Sequence, residues 1–77
     1  MGLLYGRLEH NGGYPAGAKI DFRHLGVLID TATTDADGYF GITLDVTTYT
    51  AKVGTDLCTP NPISILQGSV YVELTQE

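Results

Sequence analysis

The stretch Thr33-Thr34-Asp35-Ala36-Asp37-Gly38-Tyr39-Phe40-Gly41-Ile42-Thr43-Leu44 leaves few folds open to this chain. Its second half alternates, with Phe40, Ile42 and Leu44 on one side and Tyr39, Gly41 and Thr43 on the other. Such a period of two marks a half-buried strand, because successive side chains point to opposite faces. The preceding Asp35-Ala36-Asp37-Gly38 is turn chemistry. Aspartate side chains accept nearby backbone N–H groups, and glycine takes the left-handed conformation that other residues resist.

The same unit recurs along the chain. Leu3 to Glu9 predicts a strand with Leu4, Gly6 and Leu8 inward and Tyr5, Arg7 and Glu9 outward. His10 to Pro15, with Asn11-Gly12-Gly13, predicts a loop. Gly17 to Arg23 alternates again, with Ala18, Ile20 and Phe22 inward, and His24-Leu25-Gly26 is a turn. Val27 to Thr34 is rich in β-branched residues, and the unbroken Val27-Leu28-Ile29 predicts a segment covered on both faces. Tyr39 to Leu44 and Thr48 to Val53 follow, the latter with Tyr49, Ala51 and Val53 inward. Gly54 to Pro62 is expected to be irregular, since prolines cannot donate to a central ladder. Ile63 to Leu66 and Ser69 to Thr75 complete the pattern, with Val70, Val72 and Leu74 inward. Helical periodicity is nowhere sustained. Six or seven short strands with regular turns predict an all-β sandwich or barrel.

Seventy-seven residues make a single domain, 1–77. Four Lys and Arg against nine Asp and Glu give a formal charge of -5, a poor match to nucleic acid or to an anionic membrane surface. Stretches long enough to span a bilayer, and the basic and apolar regions of a signal peptide, are not read in the sequence. A single cysteine, Cys58, excludes an internal disulfide and reads first as a small apolar filler.

Gly6-Arg7-Leu8, then Gly13-Tyr14-Pro15-Ala16-Gly17-Ala18-Lys19-Ile20, then Thr34-Asp35-Ala36-Asp37-Gly38-Tyr39-Phe40, then Tyr49-Thr50-Ala51-Lys52-Val53 together resemble the carboxypeptidase regulatory-like domains. The resemblance spans residues 4 to 53 and is weaker beyond. It implies a single small Ig-like or prealbumin-like β-sandwich of six to seven antiparallel strands. It also implies a non-catalytic spacer or docking role, of the kind these domains have beside peptidases, outer-membrane transporters, adhesins and phage or cell-surface proteins. Thr48 departs from the family pattern, which often has Gly before the Tyr, and Cys58-Thr59-Pro60-Asn61-Pro62 is no part of it. A related sandwich carries an internal Lys–Asn isopeptide bond. The first strand here offers Arg7 and no Lys, and the last strand no Asn, so none is expected.

Catalytic and metal chemistries find little purchase. With Gly38 set as the sixth residue of an EF-hand loop, Thr33, Asp35 and Asp37 supply oxygens, but Leu44 stands where the bidentate Glu belongs. His10, His24 and Cys58 share no zinc-ligand spacing. Ser64 and Ser69 lack a nucleophile elbow, and no phosphate-binding loop is present. Leu28-Ile29-Asp30-Thr31-Ala32 resembles the Asp-Thr-Gly/Ala signature of dimeric aspartic proteases, which need two carboxylates sharing a proton. Ala32 in place of Gly and the short chain weigh against it.

The outward tyrosines Tyr5, Tyr39 and Tyr71, with Tyr14 in a loop, and the segment Cys58, Pro60, Asn61 and Pro62 are the candidate binding residues. Tyrosine is enriched at protein interfaces. The expectation is a non-enzymatic module without cofactor or metal that docks to protein subunits, either itself or a larger assembly such as a virion or cell-surface complex. The alternative is a carbohydrate-binding accessory domain on the exposed tyrosines. A dimeric protease using Asp30 ranks third.

Overall fold

A computed structural model describes residues 1–77. The chain is all-β: β1 (Gly2–His10), β2 (Lys19–His24), β3 (Val27–Thr33), β4 (Tyr39–Leu44), β5 (Thr48–Val53), β6 (Asp56–Thr59), β7 (Ile63–Ser64) and β8 (Gly68–Gln76). They form one sheet in the order β3-β2-β5-β6-β8-β1-β4, with β7 paired to β5 off that path. The sheet curls nearly into a barrel around a core of 13 buried residues. Leu4, Leu8, Phe40, Leu44 and Leu74 come from one side, and Ile20, Phe22, Ala32, Tyr49, Ala51 and Cys58 from the other. Ile63 and Ile65 complete the core.

The alternation read from the sequence determines which side chains enter this core. Leu4, Gly6 and Leu8 of β1 are buried while Tyr5 is exposed. Phe40 and Leu44 of β4, and Tyr49 and Ala51 of β5, are buried as expected. Residues 4 to 8 of β1 pair with 70 to 74 of β8, and this pair is parallel, from Gly2 opposite Gly68 to His10 opposite Gln76. Gly6 is required there: a Cβ on it would overlap the backbone carbonyl of Val72.

Four expectations need correction. There are eight strands, and one long pair is parallel; period two reports which face a side chain takes, not the direction of the neighbouring strand. The segment Gly54 to Pro62 contains a strand, β6, because only its second half carries prolines. Lys52 and Val53 of β5 pair with Leu57 and Asp56, and Cys58 and Thr59 pair with Gln76 and Thr75 of β8. This short strand thereby links the two halves of the sheet. The strand at Ile63 to Leu66 shrinks to Ile63–Ser64.

The fourth correction concerns Val27-Leu28-Ile29, which is exposed throughout rather than covered. Leu25 and Gly26 both have positive φ (51° and 80°), the signature of a two-residue hairpin turn. Phe22 pairs with Asp30 and Arg23 with Leu28, so Ile29 is an extra residue, a β-bulge. Ala32 is the one buried residue of β3, so the hairpin end projects past the core.

Thr34 pins the corner between β3 and β4. Its buried hydroxyl accepts from Ala18 N–H (2.8 Å) and donates to the Pro15 carbonyl (2.8 Å). The backbone adds Gly17 N–H to Thr34 O (3.0 Å) and Thr34 N–H to Ala18 O (2.9 Å). The β1–β2 loop is therefore tied down beside the Asp35–Gly38 turn.

Candidate functional site

The Asp35–Gly38 turn is the foundation of the site. Asp35 Oδ1 accepts the N–H groups of Asp37 and Tyr39, each at 2.9 Å, and the backbone closes with Asp35 N–H to Tyr39 O (2.8 Å). This carboxylate therefore serves the turn, and the fold brings no three of His, Cys, Asp and Glu together here as metal ligands. Gly38 has φ 84°, and a Cβ there would stand 2.8 Å from Tyr14 Cβ. Its missing side chain lets the β1–β2 loop lay Tyr14 against the turn. The Asp37 carbonyl accepts Arg7 Nε–H at 2.8 Å. Arg7 thus lies between two rings, 3.5 Å from the Tyr14 centroid and 4.6 Å from that of Tyr39.

On β8, one strand over, Tyr71 faces outward and meets Tyr5 of β1 edge to face, with centroids 5.3 Å apart and planes at 66°. Parallel pairing puts Tyr5 directly beside Tyr71 and Arg7 beside Glu73. The Tyr71 hydroxyl donates to Glu73 Oε1 at 3.4 Å. Removal from solvent, then the Glu73 charge and this bond, push the Tyr71 phenol pKa up from its ordinary value. Arg7, Glu9, Tyr14, Tyr39, Tyr71, Glu73 and Thr75 border an open cleft of about 160 Å³ with Leu74 at its floor.

Of the residues expected to bind, Tyr39 and Tyr71 come together here, Tyr5 buttresses Tyr71, and the loop residue Tyr14 joins them. Pro60, Asn61 and Pro62 are exposed but do not border the cleft. Cys58 does not belong to a binding surface: it is fully buried in β6, and burial, with the Asp56 and Glu77 charges, raises its thiol pKa to about 11. Arg7, Glu9, Glu73 and Thr75 join the cleft without a sequence motif that marks them as binding residues. Their outward phase on β1 and β8 was legible, but the parallel pairing that makes them neighbours was not.

A second exposed feature lies elsewhere. β3 is terminal in the strand order, and at its hairpin end Leu25, Val27, Leu28 and Ile29 are 89%, 60%, 48% and 49% exposed. No charged residue interrupts positions 25 to 29. Asp30, next along, is also exposed; its Oδ1 accepts the N–H of Thr31 at 2.8 Å.

The fold and cleft define a small all-β chain with an aromatic, charged recess on one face. Solved structures of DUF3823 family proteins share its fold. A DUF3823 family protein from Bacteroides ovatus superposes with a TM-score of 0.69 at 13% identity, over 97% of this chain and 43% of its own length. Another, from Parabacteroides merdae, gives 0.70 at 18% identity, over 97% and 45%. The chain therefore spans less than half the length of these structures, and at such identities the likeness is one of fold. No family model and no curated protein matches the sequence.

Proposed function

We propose that this chain is a non-catalytic docking module of the carboxypeptidase regulatory-like kind, joined to protein subunits through the β2–β3 hairpin edge, with a second copy of itself as the first partner. The observation that carries this reading is the uncharged run Leu25, Val27, Leu28 and Ile29, exposed at the end of the sheet. An open strand edge bearing apolar side chains is a template for another strand, and contiguous exposed apolar surface marks interaction sites. A two-fold contact would place the same patch on both copies, so its self-complementarity needs no second sequence. Only 17 of 77 residues are buried, and a partner that binds the folded state adds stability such a core lacks. The tyrosine cleft suits this role less, since glutamate is depleted from the centres of protein interfaces and the cleft holds Glu9 and Glu73.

A prealbumin-like sandwich is the arrangement we favour within the all-β fold. In support, β6 divides the strand order into β3-β2-β5 and β8-β1-β4, whose inner faces share one core. Of the segments that carry the resemblance, Gly6-Arg7-Leu8 falls in β1, the Asp35–Gly38 turn leads into β4, and Tyr49 is buried.

Sedimentation velocity from about 1 to 100 µM tests the docking reading. The expected result is a dimer that forms as concentration rises and is lost in both Leu28→Asp and Ile29→Lys. A monomer across the whole range removes self-docking, and an equally stable dimer in both variants removes this edge.

A further inference from the structure

We propose that the cleft between β1, β4 and β8 binds one uncharged sugar ring of an oligosaccharide, with Tyr71 as its stacking platform, Arg7 as donor and Glu73 as acceptor. This site is built on strands other than those of the β2–β3 hairpin and stands independently of the docking reading.

The argument is one of chemical fit. The cleft holds both signs of charge: one guanidinium and the carboxylates of Glu9 and Glu73. An anionic ligand would face two carboxylates. A cationic ligand would compete with Arg7, which already lies over the Tyr14 and Tyr39 rings. An apolar group would strip water from all three charges without replacing their hydrogen bonds. A neutral ring carrying many hydroxyls satisfies both signs at once, because each hydroxyl donates and accepts.

The donors and acceptors have capacity to spare. Arg7 uses Nε on the Asp37 carbonyl, so its terminal amino groups remain as donors. Glu73 receives one long bond, from Tyr71 at 3.4 Å, out of the roughly four that a carboxylate can accept. Thr75 adds a hydroxyl at the rim.

Size and rigidity agree. A cleft of about 160 Å³ is well below the roughly 300–1,000 Å³ that encloses drug-sized ligands, and suits a single ring with the rest of its chain in solvent. Tyr71 is 50% exposed yet held against Tyr5, so little rotamer freedom is lost when a sugar face settles on it.

The test is a titration of the ¹⁵N-labelled chain, followed by amide shifts, with neutral hexasaccharides of glucose, mannose, xylose and galactose. Oligogalacturonate and glucosamine oligomers serve as the anionic and cationic comparisons. The expected result is saturable binding of at least one neutral oligosaccharide, with shifts centred on residues 7–9, 39 and 71–75. Affinity should fall at least tenfold in both Tyr71→Ala and Glu73→Gln. Glu73→Gln changes an exposed side chain by one atom, so its amide spectrum should otherwise match the parent's and separates lost recognition from lost folding. Silence across the neutral panel overturns the proposal. So does tighter binding of either charged oligomer, or binding that survives both substitutions.

Discussion

The Arg7 guanidinium carbon lies 3.5 Å from the centroid of the Tyr14 ring, while its Nε–H donates to the Asp37 carbonyl at 2.8 Å. One side chain of β1 thus joins the β1–β2 loop to the turn before β4. Three segments distant in sequence meet at a planar cation, which a lysine ammonium could not reproduce.

This relationship should be measurable as a coupling. Exposed cation–π pairs contribute about 0.5–1 kcal/mol. A double-mutant cycle of Arg7→Ala and Tyr14→Ala, read by urea unfolding, should give an interaction energy in that range. Arg7→Ala alone should also lose the Asp37 bond, lowering Tm by roughly 4–8 °C for each kcal/mol lost in a domain of this size. Strict additivity of the two substitutions would show that the stack contributes nothing.

Gly38 and Gly54 separate backbone strain from crowding. Both hold positive φ, 84° and 62°, but a Cβ at Gly38 meets Tyr14 whereas one at Gly54 meets nothing within 4 Å. Each change to alanine should cost about 1–2 kcal/mol for the left-handed conformation. Gly38→Ala should cost roughly 1–3 kcal/mol more for overpacking, and should displace Tyr14 from Arg7. Equal losses of stability in the two variants would mean that the loop carrying Tyr14 yields freely.

Cys58 should make stability fall in alkaline solution. In the fold its thiol keeps its proton up to about 11, against 9.0 for the ordinary group. Between those values the unfolded chain binds fewer protons than the folded one, so unfolding becomes easier as pH rises. The contribution is complete below about pH 9 and is lost as pH rises towards 11. Urea midpoints at pH 8 and 10.5 should therefore drop more steeply for the parent than for Cys58→Ala. The buried thiol should also resist iodoacetamide at pH 8 until urea is added. Parallel pH profiles in parent and variant would contradict this assignment.

Most of the core was legible because each inward residue obeys a local rule. Leu4, Leu8, Phe40, Leu44, Tyr49 and Ala51 follow from period two, which depends only on successive side chains taking opposite faces. The misreadings share another origin. Val27-Leu28-Ile29 looks like a covered strand by composition, yet the bulge at Ile29 and the hairpin's overhang leave it in solvent. Local composition cannot report how far a hairpin extends beyond the elements it packs against.

The Asp35–Gly38 turn shows the same division. Its residues alone determined a tight turn into an alternating strand, because an Asx side chain and a left-handed glycine need only their own neighbours. The sequence likewise determined that Tyr5, Tyr39 and Tyr71 face outward. The tertiary structure decided that β8 lies parallel to β1, setting Tyr71 beside Tyr5 and Glu73 beside Arg7. It also decided that the loop bearing Tyr14 folds over Gly38 onto Arg7. Strand order is settled by how the whole chain buries its apolar faces together. A cleft made from β1, β4, β8 and a loop therefore exists only once that burial is complete.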